Sequence, residues 1–319
     1  MQIVDFYKDY AAQAQTIAHV NYREERGHVP ALPSIDEIPS LDGMTGVAVV
    51  ENGGLLGFLC WYAPWENHFG LSRGTWSPVH AHGAVAANRV EIYLRLYQEA
   101  AARLVADGVY SHSVTIYAHD AAANEAFVQN GFGRRCVDAI RMTEPLVVSD
   151  CAGVLYRMAV ESDAAVIADM RNMTAAHLSH ATMFMPPNAG GGVTPADVLR
   201  EMEEGEALYF LALGGGRPVA YYRLKQAGET FAAADDSVMN IHGAYALPDM
   251  RGTGVAAGLL TYVTNDLRER GFQRCGVDYE CFNHAGRRFW EKYFTPYTSS
   301  LHRRIDERIL SCGSTGVVI

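Results

Sequence analysis

Apolar positions recur at helical spacing most cleanly at Val255, Leu259, Val263 and Leu267, with Ala256 and Leu260 beside them. Thr261, Asn265, Asp266, Arg268 and Glu269 fall off that stripe, so the segment reads as an amphipathic helix. Gly271 suits the left-handed residue that follows a helix end. Upstream, the apolar run 241–247 reads as a strand stopped by Pro248, and 275–279 reads as a second strand after the helix. Between the first strand and the helix stands Arg251-Gly252-Thr253-Gly254-Val255-Ala256. A glycine turn that leaves a strand and opens a helix points unpaired backbone N–H groups, at the positive end of the helix dipole, above the strand end. No carboxylate occupies the first turn, and Arg251 adds a cation. The pattern predicts a bound anion, a phosphate or diphosphate.

The same reading gives the remaining elements. Residues 9–26 form a helix with Ile17 and Val20 on its apolar side, and Pro30, Pro33 and Pro39 break the chain after it. Strands at 46–50 and 55–62 are joined by Asn52-Gly53-Gly54, a hairpin signal. A third strand spans 76–85. A helix over 91–107 carries apolar residues at 92, 96, 100 and 104 and ends at Gly108; a strand at 113–118 and a short helix at 124–130 follow. In the second half come a strand at 156–160, a helix capped by Ser162 or Asp163, a Pro/Gly-rich loop at 186–192 and a short helix from Thr194-Pro195. A hairpin then crosses Gly214-Gly215-Gly216. Setting Gly108 against Gly271 gives an offset of 163, which lays Arg251 on Asn88, Gly254 on Glu91 and Asn283 on Asp120. The repeated order predicts an internal duplication into two domains, 1–148 and 149–319. The earlier copy has lost the arginine, and Glu91 places a carboxylate where an anion would bind.

The strand, glycine turn, helix and second strand are followed by Asn283 and Phe289-Trp290-Glu291-Lys292. Together they resemble the GCN5-related N-acetyltransferase (GNAT) family, whose acyl-CoA loop reads Arg/Gln-x-x-Gly-x-Gly/Ala. The resemblance is closest over 240–294, looser over 155–305 and traceable in the first half. It implies an α/β (α+β) fold of two tandem GNAT-like domains, each a mixed, mostly antiparallel sheet flanked by helices. By resemblance the later copy binds acyl-CoA, first of all acetyl-CoA, as co-substrate without a metal, and acylates a small amine. It also assigns Arg251, Gly252, Thr253, Gly254, Val255 and Ala256 to the diphosphate. The backbone N–H groups of Tyr245, Ala246 and Leu247 would line the pantetheine and the thioester carbonyl. Asn283 is either a pantetheine contact or a plain helix N-cap, and 186–192 is either a lid over the acceptor or a connector.

Acyl transfer to an amine needs a proton acceptor, a donor to the developing oxyanion and a proton for the leaving thiolate. Asp278, five residues before Asn283, stands where the related ribosomal-protein alanine acetyltransferases carry a Glu base. Strand alternation puts Glu280 on the same face, and two carboxylates on one face push one pKa upward. His242 is a third candidate. Twelve residues beyond Asp278 the family commonly has Tyr as general acid, but here stands Trp290, whose indole N–H cannot protonate a thiolate. Tyr293 or Tyr297 would supply the hydroxyl from a shifted position, or water would. A non-catalytic CoA-binding or protein-interaction module is the alternative, and transfer to an oxygen or thiol acceptor a third reading. Mycothiol synthases resemble the tandem plan, with no residue set here that carries their recognition across.

Composition narrows this further. A chain of 319 residues suits two such domains, and 49% apolar with 19% charged residues fits a folded soluble protein. No apolar run approaches the roughly 20 residues of a membrane span. The N-terminus lacks a signal-peptide pattern, so a cytoplasmic protein is expected. A formal charge of −10 argues against nucleic acid as the main partner and mildly favours cationic substrates. The six cysteines show no metal-like pairing and read as reduced thiols. The oligomeric state is left open.

Overall fold

A computed structural model of the chain describes every residue except 147, 149–150, 181, 187–189 and 310–319. Its elements run β1 (Gln2–Asp5), α1 (Ala11–His28), β2 (Thr45–Glu51), β3 (Gly54–Trp61), β4 (Gly74–Ser77), β5 (His82–Ala84), α2 (Arg89–Ala106), β6 (Ser111–Tyr117), α3 (Ala121–Gln129) and β7 (Gly133–Met142). There follow β8 (Val154–Met158), α4 (Ala164–Ser179), α5 (Pro195–Glu203), β9 (Leu208–Gly214), β10 (Arg217–Lys225), β11 (Val238–Ala246), α6 (Val255–Glu269), β12 (Arg274–Glu280), α7 (His284–Tyr293), β13 (Thr295–Pro296) and β14 (Thr298–Arg304). These elements form two compact units. One holds Met1–Pro30, Ser34–Val137 and the chain from Pro296 onward; the other holds Ala31–Pro33 and Asp138–Thr295. This compactness departs from a cut at 148/149, because β14 pairs along all of β6, from Thr298↔Tyr117 to Arg304↔Ser111. Strands β1, β7 and β14 are not among the elements read from the sequence.

In the first unit β1, β2, β3 and β5 form one antiparallel sheet, while β4 runs parallel to β6. The β2–β3 turn puts Asn52 and Gly53 at φ 51° and 80°, the two left-handed residues that a two-residue hairpin of this hand needs. The single strand expected over 76–85 is two strands. Pro78 offers no N–H to a ladder, and the Ala81 N–H turns back to the Pro78 carbonyl, so the chain leaves β6 and joins β3. On α1 the buried face is Ala14, Ile17, Ala18 and Tyr22, whereas Val20 is 38% exposed, contrary to its expected place. Buried Ile92, Leu96, Ala100 and Leu104 lay α2 against Val47, Val49 and Leu59 of the sheet.

Five histidines of this unit are held by burial below their ordinary pKa. His68, His80, His112 and His302 fall to about 4, and His82 is also lowered. Burial excludes the imidazolium, so the folded chain keeps these rings neutral while the unfolded chain takes up protons below pH 6.5. Stability is therefore complete above about pH 6.5 and is lost as pH falls toward 4. His68 and His112 are nearly fully buried, and each accounts for up to about 3 kcal/mol. Urea unfolding should show a lower midpoint at pH 5 than at pH 7.5, and a His68→Asn/His112→Asn chain should show a shallower pH dependence. Equal midpoints at the two pH values would mean the rings are hydrated.

In the second unit the sheet runs β12-β11-β10-β9-β8, antiparallel except for the β11–β12 pair. Thr194 caps α5 with a reciprocal bond between its N–H and Asp197, as the Thr-Pro start predicts. Ile167, Met170, Val198, Tyr209 and Leu211 form a core on one side of the sheet. On the other, α6 buries Val255, Leu259, Leu260, Val263 and Leu267, the stripe seen in the sequence. Gly258 lets α6 close on β8: a Cβ there would meet the Tyr156 hydroxyl at 2.1 Å. One feature read from the sequence, the 186–192 loop, lies partly outside the described residues, and so does one of the six cysteines, Cys312.

Candidate functional site

The central strand splits from its neighbour where the site begins. β11 and β12 pair in parallel from Val238↔Arg274 only as far as Ile241↔Val277, although β11 continues to Ala246 and β12 to Glu280. The cause is local. Against β10, Arg223 pairs with Gly243 and Leu224 with Ile241, so His242 is an extra residue, a bulge that bends the strand. Beyond it β11 stays paired to β10 while its other edge opens.

Strand alternation decides which backbone groups face that edge. Leu247 donates its N–H to the Val219 carbonyl (2.9 Å), which makes 247 and 219 a hydrogen-bonded pair. By period two, the Tyr245 N–H points at β10 as well, whereas Ala244 and Ala246 point into the opening. Of the three amides expected there, only that of Ala246 faces the open edge, joined by Ala244. Tyr245 contributes its side chain instead. The Arg251 Nε donates to the Ala246 carbonyl (3.2 Å), and its guanidinium lies 5.3 Å from the Tyr245 ring centre.

At the head of the opening lies the glycine turn. Gly252 and Gly254 have φ of 79° and 95°, conformations that L side chains adopt at a cost. Gly254 is the N-cap of α6 and offers no side chain to its first turn. Among the described residues, the N–H groups of Gly252, Gly254, Val255 and Ala256 take no protein partner. Thr253 is different: its N–H (3.4 Å) and hydroxyl (2.7 Å) both turn back to the Met250 carbonyl, and it does not line the cleft. The Tyr222 hydroxyl donates to the Ala256 carbonyl (2.8 Å) and pins the helix start to β10.

The turn opens on a cleft of about 390 Å³ whose walls include Tyr245, Ala246, Arg251, Gly252, Gly254, Val255, Ala256, Asn283, Trp290 and Tyr293. Asn283 caps α7, its side chain accepting from the Gly286 N–H (3.1 Å), and also faces the cleft, so both readings of it hold geometrically. Trp290 is buried against Tyr222 (5.8 Å) and Phe294 (5.6 Å). Tyr293 lines the cleft with its ring on Phe289 (5.2 Å). Tyr297, by contrast, lies in the other compact unit, 2% exposed, and is not a cleft residue. After α7 the chain passes through β13 and enters β14 at Thr298.

Asp278 and Glu280 share a face of β12 beyond the split, as alternation predicts, and neither is among the cleft-lining residues. Water reaches Asp278, yet protein crowds it closely enough to push its pKa above the ordinary carboxylate range, while His242 on the bulge pulls it back. Contact with water limits the rise. The His242 Nε2 bonds to the Ala227 carbonyl (2.6 Å), which places a proton on Nε2. Glu280 is half-buried. One lining residue gave no signal in the sequence: His177, on the last turn of α4, meets the Tyr245 ring edge-on at 6.4 Å. Partial burial, then Arg251, lowers its pKa and keeps it neutral near pH 7.

Residues 180–294 match the family model of the acetyltransferase (GNAT) family. No curated protein matches the chain. Among solved structures, a GNAT protein from Sphaerobacter thermophilus aligns over 95% of both chains at 15% identity, with a TM-score of 0.54. A glucosamine N-acetyltransferase region of a fungal multi-domain GH3 β-N-acetylglucosaminidase aligns over 94% of this chain at 12% identity and a TM-score of 0.51. This chain spans 38% of that protein. A tandem GNAT protein from the clavulanic acid biosynthesis pathway aligns over 95% of this chain and 98% of its own at 13% identity, with a TM-score of 0.46.

Proposed function

We propose that the chain is a GNAT-type acetyltransferase whose second unit moves an acyl group, acetyl first of all, from CoA to the nitrogen of a small amine within a ternary complex. The observation that carries this reading is the pairing of four free amide donors at the glycine turn with a strand split that opens directly below them. The turn fits a diphosphate in charge and in donors: Arg251 is cationic, and no carboxylate stands in the first turn of α6. The open edge at Ala244 and Ala246 suits an extended amide-bearing arm, and Asn283 adds a polar side chain beside it.

CoA supplies a thioester carbonyl to which the amine nitrogen adds as the carbon–sulfur bond breaks. Asp278 takes the proton from the amine, directly or through water, with Glu280 as the neighbouring carboxylate and His242 tuning the pair. The raised pKa of Asp278 suits a base better than an ordinary carboxylate. Tyr293, which lines the cleft, protonates the leaving thiolate in this reading, Trp290 having no acidic proton to give. The substitution of Trp290 favours one second reading, in which the site holds CoA without turnover. Thiol release from acetyl-CoA with a panel of primary amines separates the two. Release with any amine above the hydrolysis background supports transfer, and tight CoA binding with no release across the panel supports the binding module.

A further inference from the structure

The first unit has a cleft of its own at the place that corresponds to the acyl-CoA site. It holds about 320 Å³ between the second half of α1, the start of α2 and the end of β6. Asp120 caps α3 there as Asn283 caps α7, and Asn88 enters α2 in a left-handed conformation as Gly254 enters α6. The chemistry of the lining is reversed. Arg89 is held by Glu24 through both terminal nitrogens (2.8 and 3.1 Å) and reaches Asp120 at 3.3 Å, so its charge is already spent on carboxylates. Glu91 is not the residue that blocks an anion: it turns outward to Arg95 (2.6 Å) and does not line the cavity.

A second group sits against this wall. Glu25, 2% exposed, accepts from His119 twice, from Nδ1 at 2.8 Å and from the backbone N–H at 3.2 Å. A proton on Nδ1 leaves His119 Nε2 as an acceptor. The His119 ring is 37% exposed and stacks on His28 at 4.7 Å and 9°. Three carboxylates against one guanidinium leave the lining with an excess of acidic groups. A partly desolvated excess of this sign is balanced by a cation, and repels a diphosphate.

We propose that this cavity is a binding site for a small organic cation bearing N–H donors, a primary ammonium or a guanidinium, held by Glu24, Asp120 and His119 Nε2. At about 30 Å³ per water the space takes a ligand of roughly ten heavy atoms. Burial raises the pKa of Glu25, and the His119 donors oppose that rise without cancelling it.

Agmatine, which carries both head groups, is the probe, titrated into the full chain while the imidazole carbon–proton resonances of His28 and His119 are followed. Saturable shifts of both rings are expected, with at least tenfold weaker binding for Glu24→Gln/Asp120→Asn, where Asn keeps the α3 cap. Tetramethylammonium, a cation without donors, should bind at least tenfold more weakly. Should the double variant fail to fold, the exposed single change Glu24→Gln carries the comparison. The proposal is overturned if phosphate shifts these rings and agmatine does not, if tetramethylammonium binds equally well, or if agmatine leaves both rings unmoved. Arg251→Glu, in the other unit, should leave the agmatine titration unchanged; loss of the shifts there would place the cation in the acyltransferase cleft.

Discussion

Arg251→Glu lowers acetyl-CoA affinity by at least ~100-fold. The guanidinium sits at the lip of the cleft, tied to the Ala246 carbonyl and packed over Tyr245, where it faces the turn that would hold the diphosphate. A unit charge about 4 Å from another contributes roughly 4 kcal/mol at an effective dielectric near 20, and reversing the sign turns that attraction into repulsion. Solvent at the rim reduces the figure, and a hundredfold loss, about 2.7 kcal/mol, is the lower bound expected. Calorimetric titration of folded variant and parent with acetyl-CoA reads it directly. Arg251→Gln should fall between the two. An unchanged affinity in the Glu variant would move the diphosphate elsewhere.

Asp278→Asn is the second large effect: kcat drops about 10²- to 10³-fold while acetyl-CoA affinity stays within twofold. General bases supply rate factors of this order, and Asp278 stands beyond the strand split without lining the CoA cleft. The pH profile adds a sign. A base must be deprotonated, so activity in the parent falls as pH drops through the Asp278 pKa, which lies above the usual carboxylate range. That acid limb should be absent in Asp278→Asn. Glu280→Gln should shift the limb to lower pH with a smaller loss of rate, since removing a neighbouring negative charge lowers the pKa of the one that remains. Full activity in Asp278→Asn would pass the role to another acceptor, with His177 and His242 the groups to change next.

How far the sequence reached follows from which features are local. The glycine turn, the α6 stripe, the Thr194 cap and the Asn283 cap each rest on residues within one or two turns of chain, and each stands where periodicity puts it. The site's finer geometry rests on long-range pairing. Whether an amide of β11 faces β10 or the opening depends on a register set by the bulge at His242, which no local pattern announces; the donors expected at Leu247 and Tyr245 are ones that the sheet already uses. Thr253 turned inward for a similar reason, its hydroxyl finding the Met250 carbonyl. Tyr297 lies only four residues from Tyr293, but the partner of β14 is β6, some 180 residues earlier in the chain. His177 belongs to a helix whose start is legible, while its approach to Tyr245 depends on how α4 packs across β11.

Hydrogen–deuterium exchange with and without CoA tests the central claim most directly. Slower exchange confined to the amides of 252 and 254–256, together with 244 and 246, is the predicted result. Protection at 85–93 in the first unit, or no protection at 252–256 under saturating CoA, would contradict it.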